Sequence, residues 1–287
     1  MASSNPAFNR IEQDARNGYA GFRGGSAPTS GPGEQLSAQQ LQDMYSAPSP
    51  VRNAGDRAVT MDDVIMKTLA LFAIVLVTGG IGWGLAASNP GIGFALWAGG
   101  GILMLVLGLV IAFKKTLSVP LIVLYAAVEG VFVGAISQFY ALRFDGPGVD
   151  TVSFQGIVPQ AVLATVATFA GMLIAYKTGL IKVTARFRKI MTMALIGYAI
   201  FAVVNFVFAI VTNTAFGIGG STALGVGISL FAVGLAAFTL ALDFDAIDRA
   251  IATGAPQKYS WLLAHGLVVT LVWLYLEFLR LLGRLRS

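Results

Sequence analysis

The sequence predicts an all-α fold: a polytopic bundle of seven transmembrane helices behind a disordered N-terminal tail. Three observations carry this. Of 287 residues, 56% are hydrophobic and only 11% charged, whereas roughly a quarter are charged in a soluble domain. Beyond residue 60 the chain divides into seven apolar stretches, each close to the twenty or so residues a helix needs to cross a bilayer. Lys and Arg gather in alternate connections, as cytoplasmic loops of membrane proteins do. The net charge of +5 is therefore read as loop charge, and no nucleic-acid partner is expected.

Two regions follow, a tail over 1–59 and a membrane domain over 60–287. Residues 18–55 are rich in Gly, Ser, Pro, Gln and Ala, too poor in large apolar side chains to offset the entropy of ordering, so disorder is expected there. Just before them, Asn5 as N-cap, Pro6 at N1 and Phe8 with Ile11 on one side fit a short amphipathic helix. No apolar signal-type run follows Met1, and the tail is expected to stay in the cytoplasm.

The first span opens at VTMDDVIMK, where Thr60 and Asp63 have capping-box spacing and Asp62 and Asp63 face the positive end of a helix. The expected spans are 66–87, 91–113, 119–141, 158–176, 190–212, 223–242 and 260–282. Turn chemistry separates them: Asn89, Pro90 and Gly91 after the first, Ser118 and Pro120 before the third, Asp145, Gly146 and Pro147 after it. Residues 190–242 contain no charge but are too long for one crossing, and Asn213 with Gly217, Gly219, Gly220 and Ser221 supplies the break.

Orientation follows from the basic residues. Lys114 and Lys115 lie in the second connection, Lys177, Lys182, Arg186, Arg188 and Lys189 in the fourth, and Arg249 and Lys258 in the sixth. The first and fifth carry none and the third only Arg143. The N-terminus is thus expected inside. Seven crossings put the C-terminus outside, against the pull of Arg280, Arg284 and Arg286.

Three acids stand within or at the edge of apolar spans: Glu129, Asp243 and Glu277. An acid at such depth is costly and is normally paired, wetted or part of an ion or proton path. At about 100° per residue, Asp243 shares a face with Leu240, Ile247 and Ala250, while Asp245, Asp248 and Arg249 lie on the other. Asp245 and Asp248 read as a solvated helix end, with Asp245 paired to Arg249. Arg280 and Arg284 fall on the face of Glu277, so a self-contained ion pair is one reading of that acid. Glu129 has no basic neighbour within a turn; Gly130 and Gly134 beside it allow a second helix to approach closely.

The segments YAAVEG in the third span, LDFDAI at the end of the sixth and LYLEFLRLL in the seventh resemble the Bax inhibitor-1/YccA-like family, also called the transmembrane Bax inhibitor motif family. The resemblance covers 61–285, and NPAFNRIEQDARNGYAGF with TMDDVIMK is similar to its actinobacterial members. It implies a bundle whose seventh helix is central and encircled by six others. It also implies a bacterial plasma-membrane location and a proton-sensitive calcium leak. In that leak an acid of the sixth helix and one of the seventh share a proton and close the cytoplasmic end of a pore. The match assigns those roles to Asp243 and Glu277; the reading of the residues themselves adds Arg280 and Asp245 in support and Glu129 as a third acid on the path.

Two carboxylates a few ångströms apart titrate as a unit, and when both are ionised they suit Ca²⁺; a proton is then a latch. This sequence departs from the pattern in two ways. The seventh-helix acid is Glu277 where Asp is usual, and the second span, 92–113, lacks the basic residue that leak-type members carry. Register adds a condition: Glu277 lies seventeen residues past Ser260, about 25 Å along a helix. Contact with Asp243 therefore requires the sixth and seventh helices to extend beyond the cytoplasmic surface, so that the seventh spans about 266–287.

Other functions are weighed alongside. Without cysteine, and with His265 the one histidine, thiol catalysis and a clustered-histidine metal enzyme are excluded. IGGSTALG around Ser221 lacks the activated serine of an intramembrane protease. No enzyme activity and no resident cofactor are expected, the cargo being Ca²⁺ or H⁺. The alternatives are a non-transporting regulator that binds a membrane quality-control protease through Phe8, Ile11, Tyr19 and Phe22 of the tail, and a proton-coupled transporter.

Overall fold

The computed structural model describes residues 57–114, 116–145, 154–214 and 216–287; the tail, with its expected short helix, lies outside them. Seven long helices make up the fold: α1 Met61–Ser88, α2 Pro90–Phe113, α3 Val119–Phe144, α4 Ile157–Lys177, α5 Ala185–Thr212, α6 Ala223–Ala252 and α7 Ser260–Leu285. All seven are long and apolar enough to span a membrane. Their number and order match the sequence expectation.

Local chemistry sets the boundaries. At α1 the capping box is complete: Asp63 N–H donates to Thr60 Oγ1 at 3.3 Å and Thr60 N–H to Asp63 Oδ2 at 3.2 Å. Asn89 ends α1 and caps α2, its Oδ1 accepting from Gly91 N–H at 2.8 Å, with Pro90 as the first residue of the new helix. Asn213, at φ +50°, stops α5 in the left-handed region that Asn tolerates better than most residues. The largest departure from expectation is α6, which continues ten residues past the apolar window to Ala252. Hydropathy marks where lipid ends; backbone hydrogen bonding carries a helix on into water.

Packing puts α7 in the middle. It contacts α1, α3, α4 and α6 along its length and is the most buried of the seven. Around it α2 lies outside α1 and α3, and α5 packs on α6, so the ring implied by the family resemblance is four inner helices with two outriders. Leu71 and Val75 of α1, Ile122 and Ala126 of α3, and Ala264, Val268 and Val272 of α7 form one core. Leu240, Phe244 and Ile247 of α6 meet Leu263, Leu267 and Leu274 of α7 in another.

Lipid gives apolar helices little reason to associate, so close backbone contact matters more than in water. Between α1 and α3 it is provided by glycine. A Cβ on Gly134 would stand 2.0 Å from Gly79 O, one on Gly130 2.0 Å from Thr78 Oγ1, and one on Gly82 2.4 Å from Val131 O.

The two ends of the bundle differ. At one end the chain before α1 is strapped across the α6–α7 connection: Val59 N–H donates to Ala255 O at 2.8 Å and Gln257 N–H to Arg57 O at 2.7 Å. Asp63 ties in Arg57 at 2.7 Å and Gln257 at 3.0 Å. Chain direction brings Lys114, Lys177, Lys182, Arg188, Arg249 and Lys258 to this basic end. The C-terminus lies at the far end, where Arg286 pairs with Asp145 after α3 and donates to Gln155 O and Gln160 Oε1, both at 2.8 Å. An odd number of crossings is thus kept. Of the arginines that ran against it, Arg280 and Arg286 are paired with Glu277 and Asp145, and Arg284 donates to the Phe216 carbonyl.

Candidate functional site

Along α7 a polar stripe faces α6 and α5. Gly266, Thr270, Trp273, Glu277, Arg280 and Arg284 recur at three- and four-residue intervals, so they share one side of the helix. The acids singled out from sequence are distributed around it.

Asp243 stands nine residues before the end of α6, about 13 Å from the basic end. Thr270, ten residues into α7, is at nearly the same level, about 15 Å in, and its hydroxyl lies beside the Asp243 carboxyl. That hydroxyl donates to Gly266 O at 3.1 Å and stands at hydrogen-bonding distance from the Asp243 carboxyl, whose Oδ2 is buried with no partner. Glu129 is 1% exposed, and its Oε2 is likewise buried and unpartnered. It lies ten residues into α3, again about 15 Å from the basic end. Two incompletely bonded carboxyls therefore stand at one depth, on two helices that both flank α7.

Glu277 is different. It is 2% exposed and accepts from Tyr198 Oη at 2.5 Å, Trp273 Nε1 at 3.0 Å and Arg280 Nη1 at 3.0 and 3.1 Å. Arg280 Nη1 also donates to Tyr198 Oη at 3.1 Å. Of the two readings the sequence allowed, the structure takes the local pair with Arg280.

The proposed latch is not assembled. Thr270, beside Asp243, and Glu277 share a face of α7 but are two turns apart, about 10 Å. Part of the condition is met, since α6 continues to Ala252, but α7 starts at Ser260 directly after the 3₁₀ turn Gln257–Tyr259, so Thr270 and not Glu277 reaches the level of Asp243. The register of α7 against α6 is fixed by that tight connection. A Ca²⁺ held jointly by Asp243 and Glu277 does not fit this separation, and among the described residues no three acid or imidazole side chains converge.

Asp245 makes the expected pair with Arg249 at 2.8 Å, and a second with Arg188 of α5 at 3.3 Å. Its side chain is only 16% exposed, so the expected water-facing acid is instead a clasp between α6 and α5. Asp248 joins α6 to α4 through Tyr176 Oη at 2.9 Å and Lys177 at 3.6 Å. His265 packs as a core residue, its ring edge-on to Tyr125 at 4.6 Å. Sequence reading passed over Tyr198, Thr270 and Lys67, the last bonded from α1 to Ser260; the partner of each is on another helix.

Residues 5–287 match a family model described as Bax inhibitor 1 like. The chain belongs to the Bax inhibitor 1 like family. No match to a curated protein was found. The match covers the segments carrying Glu129, Asp243 and Glu277, so the polar stripe and its flanking acids are features of a Bax inhibitor 1 like membrane protein with seven apolar helices.

Proposed function

We propose that this protein is a proton-sensitive leak pathway for Ca²⁺, with Asp243 as the group that attracts the cation and binds the proton. The observation that supports this reading is the pair of unpartnered carboxyl oxygens, on Asp243 and Glu129, at one depth beside the central helix. A buried carboxyl oxygen without a partner is expensive to keep and marks a functional group inside a membrane. Ionised, it offers the hard oxygen ligand that a Ca²⁺ ion needs as it sheds water. Protonated, it is neutral and the attraction is gone, so acid closes the path and alkali opens it.

Glu277 is assigned a different role from the one the resemblance implied. Its carboxylate is committed to Arg280, Tyr198 and Trp273, and we infer that it fixes α5 against α7 while Asp243 titrates alone. Localisation in a bacterial plasma membrane with the basic end in the cytoplasm belongs to the same proposal, on the ground that positive charge is retained inside. The test is flux of Ca²⁺ into liposomes holding the purified full chain, at pH 6 and pH 8. Flux that rises with pH in the wild type and loses this dependence in Asp243→Asn is expected. Absence of protein-dependent flux at both pH values would remove the leak and leave the protease-bound regulator as the better reading.

A further inference from the structure

Helix α5 is held to the bundle by polar contacts. None of the apolar cores among the described residues includes a residue of Ala185–Thr212. Arg188 pairs with Asp245 near the basic end, and Tyr198 Oη donates to Glu277 in the middle. Towards the far end Asn205 Oδ1 accepts from Ile218 N–H at 2.7 Å. Met191 is the one buried residue of the helix. At about 100° per residue Arg188, Met191, Tyr198 and Asn205 fall on one side, which leaves the other side of α5 facing outward.

That outer side has two parts. Ile190, Met193, Ile200, Val204 and Val211 form an apolar stripe, each residue at least 52% exposed. The stripe is about 32 Å long, close to the thickness of the hydrocarbon core of a bilayer. At its basic end the same side carries Arg186 and Lys189, both exposed, with exposed Lys182 four residues before Arg186. From 177 to 189 the chain has five cations and no acid. The acids that α6 offers are taken: Asp248 pairs with Lys177, and Asp245 with Arg188 and Arg249. Lys182, Arg186 and Lys189 have no side-chain partner among the described residues. The start of a helix is itself positive, and the first turn of α5 contains no acid. Protein therefore leaves the charge at this corner uncompensated.

We propose that the outer face of α5 binds an anionic phospholipid, its phosphate against Lys182, Arg186 and Lys189 and its acyl chains along the stripe from Ile190 toward Ile200. The occupant follows from the join of the two parts. A phospholipid carries an anionic head on an apolar body, in the same order along the membrane normal, and clustered cations beside a span attract such heads. An acidic soluble protein would match the cations but not the stripe below them. A second copy would match the stripe, but a two-fold axis along the membrane normal would set Arg186 and Lys189 against their own counterparts. A lipid held here clamps from outside the helix that no apolar core holds from within. The inference is independent of whether the protein conducts Ca²⁺.

The test uses the purified full chain in nanodiscs of phosphatidylcholine, with and without phosphatidylglycerol, and native mass spectrometry to count the lipids retained. Wild type should retain phosphatidylglycerol in preference to phosphatidylcholine and gain Tm from it. Each cation near an anionic headgroup contributes about fivefold in affinity. Arg186→Gln with Lys189→Gln should therefore lower the preference by more than about tenfold, with Tm in pure phosphatidylcholine unchanged. Arg186→Lys with Lys189→Arg, which keeps the charge, should retain it. Lys258→Gln, a cation on another connection of the same end, should leave it as in wild type. Equal retention of the two lipids by wild type overturns the proposal, whatever the variants do. So does an equal loss in Lys258→Gln, which would make the effect a diffuse surface charge. Inorganic phosphate that stabilises the chain as well as phosphatidylglycerol does overturns it too, since the ligand is then soluble. The native chain has no cysteine, so efficient disulfide formation between chains carrying Ile200→Cys would show a second copy on this face and overturn it as well.

Discussion

Removing one member of the Glu277–Arg280 pair should cost different amounts depending on which is removed. In Arg280→Gln the carboxylate of Glu277, 2% exposed, is left with Tyr198 and Trp273 as donors and no cation. Orphaning a buried charge costs about 3–5 kcal/mol. In Glu277→Gln the orphan is Arg280, whose side chain is 37% exposed and long enough to snorkel toward the bundle end, so a smaller loss of about 1–3 kcal/mol is expected. The double variant should be less destabilised than the two losses added, with a coupling energy of about 2 kcal/mol. Asp243 and Glu277 sit two turns apart in level, and sites that distant couple by less than about 0.5 kcal/mol. Two double-mutant cycles, 277 with 280 and 243 with 277, measured by reversible unfolding in mixed micelles, give these numbers. Coupling above about 1 kcal/mol between 243 and 277, with none between 277 and 280, would refute the register argument and restore the shared-proton pair.

Asp243→Asn should flatten the pH dependence of Ca²⁺ flux while Tm moves little, because the amide is nearly isosteric and keeps an oxygen to face Thr270. Gly134→Leu should prevent accumulation of folded protein, since even a Cβ there meets Gly79 O at 2.0 Å; normal yield and Tm would show that α1 and α3 are not in backbone contact. A cysteine at Thr253 should be shielded from an impermeant maleimide added to intact cells and one at Ser221 should react; the opposite pattern would invert the orientation. Asp245→Asn should loosen α5, read as faster hydrogen exchange at the start of that helix around Arg188.

What could be read from sequence was what neighbours along the chain decide. The Thr60–Asp63 box, the Asn89–Pro90 turn, the Asp245–Arg249 pair and the Glu277–Arg280 pair depend on spacings of one turn or less, and the structure has all four. The same holds for the seven spans, which are lengths of apolar chain. The contacts missed were those set by how one helix slides against another. Nothing in WLYLEF says that a tyrosine 79 residues earlier will reach Glu277, and nothing in LDFDAI puts Thr270 rather than Glu277 beside Asp243. Ending α6 at the last apolar residue misjudged both its length and the depth of its acid. The far-end arginines were misread for a related reason: their partners, Asp145 and the Phe216 carbonyl, sit on connections whose positions only the assembled bundle defines.

The glycine seam between α1 and α3 acts as a ruler. Gly130 follows Glu129 directly, and its contact with Thr78 and Val75 of α1 leaves no slack in which α3 can rotate or lift. The acid is therefore located by backbone against backbone, with no side chain free to relax. Tolerance to sequence drift should be lowest on the face of α1 opposite Glu129 at Gly82, where a Cβ would stand 2.4 Å from Val131 O, although this glycine does not touch the polar stripe. An ordinary conservative change there, a single methyl, moves a charge on a different helix.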